Sequence, residues 1–317
     1  MQSFVDWFTA SRLSVILGAA LLATLGYAVF VVMWLPGALV VLLALRGGRP
    51  LADWQTALVA GVTFSWWLLA AGAGPLPAVL VAVGLIVPPL IVGRVLARGG
   101  SLSVVFQLST LAALGVLAIV HLVLANPPGV WQPFVEKMAA ELDTVATMMA
   151  NVDSQWHPTN AELREAAADY VNWGVAISLL LVNTIVAAAI GLYAHGRQRQ
   201  SAELGPQFRA IKAGRTLATV AAVLIVASVA LKWDFARDAQ HIFMGAFFLQ
   251  GLALLHAARE ILGLGNGWMA ASYGLLLVPL TAIVAYPLLA VAGFLDNWLP
   301  LRARLALIAA KNKVRGG

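Results

Sequence analysis

The 317-residue chain has no cysteine, which excludes disulfides, cysteine nucleophiles and thiolate metal sites. Charge is nearly as scarce. Asp, Glu, Lys and Arg make up 11% of the residues, against about 25% in a soluble domain, so lipid must solvate most of the surface. Hydrophobic residues reach 61% and the mean hydropathy is +0.88. Enzyme templates are missing too: there is no HExxH and no G-x-S-x-G elbow. Gly263-x-Gly265-x-Gly267 follows no strand-like run, so it is not expected to bind phosphate. The acidic residues fall almost entirely outside the apolar runs, which leaves no obvious intramembrane carboxylate pair. The expectation is a protein that is not an enzyme and uses neither cofactor nor metal.

What the chain does have is apolar length. Leu13–Leu45 and Ile261–Leu295 run 33 and 35 residues without a formal charge. One crossing needs about 20 residues, so each run is long for one helix and short for two. Both hold breakers: Gly26, Pro36 and Gly37 in the first, Gly267, Gly274, Pro279, Pro287 and Gly293 in the second. Broken helices at membrane depth are tolerated where backbone is buried in protein or lines a polar cavity. The N-terminal run reads as a retained membrane element rather than a signal peptide, either one long tilted helix or a hairpin.

Between these ends, six crossings are expected near Trp54–Gly72, Leu76–Gly93, Leu102–Ala125, Val171–His195, Thr216–Leu231 and His241–Ala258. Ala73-Gly74-Pro75 makes a hairpin of the first two. Loops Arg46–Asp53 and Arg94–Ser101 carry net positive charge, and Gly196–Arg215 holds five cations against Glu203 alone. Asn126–Tyr170 holds seven acids against Lys137 and Arg164, and Lys232–Gln240 is neutral. Basic loops stay inside, which puts residues 126–170 outside a bacterial inner membrane. The cations of the tail, Arg302 to Arg315, belong in the cytoplasm, so Ile261–Leu295 must cross twice or enter and return. The N-terminus is placed in the cytoplasm as well. The fold expected is an all-α polytopic bundle of eight to ten crossings, ten preferred. It divides into N-terminal transmembrane helices (1–125), an extracytoplasmic helical segment (126–170) and C-terminal transmembrane helices with a basic tail (171–317). The net charge of +6 is thus a topology signal rather than a nucleic-acid footprint.

In the outer segment, Trp131, Phe134, Met138, Leu142, Val145 and Met149 recur at helical spacing, as in a helix lying on a membrane surface or capping a bundle. After a loop at Asn151–Pro158, Thr159 and Glu162 form a capping box. The helix it starts is expected to continue through Glu165 and Asp169 into the crossing after Val171.

Polar residues at membrane depth are the functional suspects, because burying them in lipid is unfavourable. Gln250, His256, Asn183 and His121 are the candidate substrate-binding residues, with Gln107 beside them. His256 and Glu260 lie four apart on one helix face and read as an interfacial pair, since zinc needs three or more protein ligands. Arg209, Lys212 and Arg215 recur just before a crossing, either to anchor it against lipid phosphates or to dock a cytoplasmic partner.

Phe208-Arg209-x-x-Lys212-x-x-x-Thr216, Phe247-x-x-Gln250-Gly251-Leu252-Ala253-x-x-His256 and Gly293-x-x-Asp296-x-Trp298-x-x-x-Arg302 are similar to the YybS-like bacterial membrane proteins. That family is grouped with the substrate-binding (S) components of energy-coupling-factor vitamin transporters. The resemblance implies binding or uptake of a small molecule. S components contact their membrane partner through an Ala-x-x-x-Ala face, and Ala19-x-x-x-Ala23 has that spacing. The outer segment and the extra crossings depart from the compact S-component pattern. The alternative is a non-transporting scaffold that recruits envelope or cytoplasmic partners through the outer helix or the basic loop.

Overall fold

The computed structural model describes residues 11–28, 33–46, 50–70, 74–124, 128–150, 158–200 and 204–315. Most of the loop expected at Asn151–Pro158, with His157, lies outside them. Among the described residues all regular structure is helical: α1 Arg12–Ala28, α2 Leu35–Leu45, α3 Pro50–Ala70, α4 Pro75–Ala97, α5 Leu102–Leu124, α6 Pro128–Ala150, α7 Asn160–Tyr170, α8 Trp173–Gln198, α9 Leu204–Arg209, α10 Gly214–Leu231, α11 Asp234–Leu262, α12 Asn266–Leu277, α13 Pro279–Leu295 and α14 Leu301–Arg315. The chain is a helical membrane bundle. Among the described residues, five helices are long and apolar enough to cross a bilayer: Ala78–Ala97, Leu102–Val123, Trp173–Gln198, Gly214–Leu231 and Asp234–Leu262. Helices α12 and α13 form a pair bent by 116°, which makes six spans if the pair counts as one. A count of ten requires α1, α2, α3 and both arms of that pair to cross as well.

By packing, the described chain forms two compact units. One comprises residues 1–111, 180–219 and 244–317, and the other 112–179 and 220–243. In the first unit, the N-terminal uncharged run resolves into two helices rather than one tilted one. Helix α1 packs on α3 and α2 packs on α4. Eleven residues reach only about 16 Å, so α2 is too short to cross about 30 Å of hydrocarbon. It is enclosed by protein instead, with Gly37, Leu39, Val40, Val41 and Leu42 all buried. Small residues make this possible: a Cβ on Gly191 of α8 would meet Val41 at 2.7 Å, and one on Gly93 of α4 would meet its backbone at 3.0 Å. Ala19 and Ala23 are fully buried in the same core, with Ala57, Ala60 and Phe64 of α3. The Ala-x-x-x-Ala spacing therefore packs inside the molecule and is not an outward face.

In the second unit, α6 packs on α7, joined by an Arg164–Glu136 ion pair of 3.1 Å. Of the expected stripe on α6, Met138 and Leu142 are half-buried, and Ala139 and Ala146 beside them are buried. The side chains of Trp131, Phe134, Val145 and Met149 lie outside the described set. The capping box forms as expected: Glu162 N–H donates to Thr159 Oγ1, and Thr159 N–H donates to Glu162 Oε2 at 2.7 Å.

Two expectations are corrected here. Helix α7 does not run into the crossing. It stops at Tyr170, and Asn172 Oδ1 accepts from Val175 N–H at 2.8 Å, capping α8 as a separate helix. The loop expected at Lys232–Gln240 shrinks to Lys232 and Trp233. Lys232 takes a left-handed φ of 49°, which turns the chain sharply, and Asp234 opens α11 in its first turn, where the helix dipole favours an acid.

Candidate functional site: a polar latch beside an apolar groove

The first unit gathers its polar side chains around a stretch that is not helical. Residues 210–213, between α9 and α10, form neither helix nor strand, and their backbone groups must find partners elsewhere. They find side chains. Gln107 Nε2 on α5 donates to the Lys212 carbonyl at 2.9 Å, and Ser103 Oγ accepts from Lys212 N–H at 3.3 Å. Gln250 Oε1 on α11 accepts from Ala213 N–H at 2.8 Å. Asn297 Oδ1, just past α13, accepts from Gly214 N–H at 2.8 Å. Arg302 on α14 donates to the Ile211 carbonyl at 3.0 Å and also to the Arg209 carbonyl. Gly214 starts α10 at φ +84°, a conformation that glycine adopts at little penalty.

Asp296 is the electrostatic centre of this latch. Its side chain is fully buried, and Oδ2 receives Arg302 at 3.0 Å, with Lys212 Nζ at 3.7 Å. Gln250 Nε2 donates to the same oxygen at 3.4 Å, and Asn297 Nδ2 donates to Gln250 Oε1 at 3.3 Å. One carboxylate thus faces two cations, and each polar atom of the Gln250 amide has a protein partner. The network ties α5, α11, α14 and the turn after α13 to one loop. Among the described residues, no three His, Asp or Glu side chains converge as a metal site requires.

Beside the latch the same helices frame a groove. Its cavity volume is about 410 Å³, and its walls are Leu254, Leu255, Leu289, Leu301, Leu305 and Ile308, with Arg304. Small residues, Gly251, Ala258 and Ala292, complete the lining. The latch residues are next in chain to it: Gln250 precedes Gly251, and Arg302 follows Leu301. Glycines bring α11 and α13 into backbone contact at this level. A Cβ on Gly251 would stand 2.0 Å from the Leu289 carbonyl oxygen, and one on Gly293 2.0 Å from that of Phe247. That volume lies within the range of small-molecule sites, and the lining is apolar apart from one guanidinium.

The four candidate substrate-binding residues are not brought together. Gln250 is fully buried in the latch. Asn183, also fully buried, donates to the Leu85 carbonyl at 3.2 Å. Pro89 stands four residues after Leu85 within α4 and has no N–H to give that carbonyl. Asn183 therefore repairs a proline break. His256 pairs with the Tyr273 hydroxyl at 2.8 Å and meets the Phe208 ring edge-on. Glu260 pairs with Arg209 at 2.6 Å instead, so the expected His256–Glu260 pair is replaced by two separate contacts. His121 lies in the second unit, 2.9 Å from Asp238. Of the three candidate docking cations, Arg209 is held by Glu260, Lys212 adjoins Asp296, and Arg215 is exposed.

Sequence reasoning missed Asp296, Asn297, Arg302 and Asp238 as site residues. A signal for Asp296 and Arg302 was present, because both belong to one of the three motifs quoted above, while Asn297 falls at an unspecified position between them. Those motifs meet here: Phe208 to Lys212, Gln250 and Asp296 to Arg302 form one network. Asp238 falls within the expected loop Lys232–Gln240, where an acid gives no sign of burial.

No curated protein and no solved structure matches the chain. A family model does, over residues 12–297, a stretch that runs from the start of α1 to Asn297 of the latch. The protein belongs to the family described as predicted membrane protein DUF2232.

Proposed function

We propose that the protein is a transporter-like membrane protein that binds a small anionic amphiphile in the groove between α11, α13 and α14. The groove carries this reading: an apolar trough of about 410 Å³ with Arg304 among its lining residues. A hydrocarbon tail gains by leaving water for such a surface, and a guanidinium suits a carboxylate or phosphate head. The site moves away from Gln250, His256, Asn183 and His121, each of which makes a hydrogen bond within the protein. Gln250 acts by holding the latch that shapes the groove. The resemblance to YybS-like proteins, and through them to S components, supports binding or uptake of a small molecule. The charge distribution supports an inner-membrane setting with the basic tail in the cytoplasm, and on that reading the groove belongs to the cytoplasmic half.

A thermal-shift screen of the purified chain in neutral detergent tests this. Single-chain carboxylates and phosphates should raise the melting temperature, while neutral amphiphiles of equal length should not. Arg304→Ala should abolish the difference between the two sets. Equal response to both sets would refute the role given to Arg304, and no response to either would refute the site.

A further inference from the structure

The second unit contains a buried acid–imidazole couple that the reading above leaves unused. Asp238 stands one turn into α11 and is 1% exposed, and its Oδ2 lies 2.9 Å from His121 Nε2 on the last turns of α5. Helix α8 closes the site from a third side: a Cβ on Gly174 would stand 2.1 Å from the Asp238 carbonyl oxygen, so the helices touch at the backbone. The Phe235 ring covers His121 edge-on at 5.6 Å. The charged groups facing Asp238 besides His121 are Arg237 and His241 on α11 itself. Arg237 is drawn toward Asp234 at 3.2 Å on the exposed side. Helix α5 contributes no titratable residue other than His121, and the first turns of α8 contribute none. His241 lies one turn further along α11 on the same face, half-exposed, with Asn172 at 3.4 Å. It is the next titratable group along this face of α11.

Ionisable groups inside membrane helices mark proton relays and ion pathways, and this one has the parts: an acid, a base and a half-exposed histidine. We infer that His121 and Asp238 form a proton-binding site, with His241 as its connection to the aqueous side. The ligand is a single proton taken from water. Its uptake carries the couple from net −1, carboxylate with neutral imidazole, to net zero, and its release reverses that. The inference stands apart from the groove and needs no amphiphile.

Infrared difference spectroscopy of the full chain in nanodiscs, stepped through the pH range of about 5 to 8 where imidazole titrates, reads the proton directly. With ring-labelled histidine, one imidazole signal and the carboxylate bands of one Asp should change with a common midpoint. Asp238→Asn should remove the carboxylate change, and His121→Gln should move its midpoint by at least one pH unit. Separate midpoints for the two signals in the wild-type protein would overturn the proposal, with no variant needed. So would a carboxylate change that persists in Asp238→Asn, or none at all in this range.

Discussion

Asp296 and Gln250 show how single polar residues hold a membrane protein together. Asp296→Ala leaves Arg302 facing a buried gap, which should destabilise the fold by about 3 kcal/mol. Gln250→Leu strands the Ala213 N–H and should cost about 1–3 kcal/mol. Asn183→Leu should lose a similar amount, because the Leu85 carbonyl above Pro89 loses its donor. Reversible unfolding in mixed micelles measures all three. The sign of the result separates two roles. A latch residue lowers stability with or without ligand, whereas a ligand contact lowers only the ligand-dependent part. His256 is different, since its partner is one exposed-side hydroxyl, and His256→Ala should fall within about 1 kcal/mol of the parent.

At the scale of elements, two glycines and one cap are the sharpest tests. Gly251→Ala and Gly293→Ala each push a methyl into a carbonyl of the facing helix, and overpacking of this kind costs about 1–3 kcal/mol. Both should also narrow or distort the groove, so unfolding and ligand-shift measurements should change together. Thr159→Ala removes the α7 cap and should cost about 1 kcal/mol locally, visible as faster amide exchange in the first turn of α7. Glu162 adds a pH dependence. The Thr159 backbone N–H and then its hydroxyl hold this carboxyl below its ordinary value. A depressed acid contributes its stabilisation above its unfolded-state value and loses it as pH falls through the folded one. Protection of that turn relative to intrinsic exchange should therefore fall only under acid conditions, and Glu162→Gln should flatten the profile.

Helix existence was legible in apolar length, and the capping box in four residues, because both are local. The breaks were less so. Nothing in the composition of Lys232–Gln240 showed that Lys232 would take a left-handed turn and let α11 begin at Asp234. The polar partners in the site were harder still. Gln250, Arg302 and Ser103 lie on different helices and meet only through the fold, around a loop whose non-helical backbone leaves no mark in the sequence. Asn183 illustrates the point. It read as polar lining, and its role appears only once the Leu85 carbonyl is seen without its proline N–H.

Among the described residues of this helical bundle, the short helix α2 is enclosed in protein, and α11, α13 and α14 frame a groove beside the latch. The first uncharged end run became two helices, α1 and the short, buried α2. The second became a bent pair, whose α13 arm forms one wall of the groove. Native mass spectrometry of the detergent-purified protein tests this directly, comparing the parent with Ala258→Trp, which fills the groove without touching the latch. Offered equimolar anionic and zwitterionic lipid, the parent should retain one anionic molecule. The variant should retain none while unfolding at a similar temperature. Equal retention by the two proteins, or no anionic preference in the parent, would contradict the account.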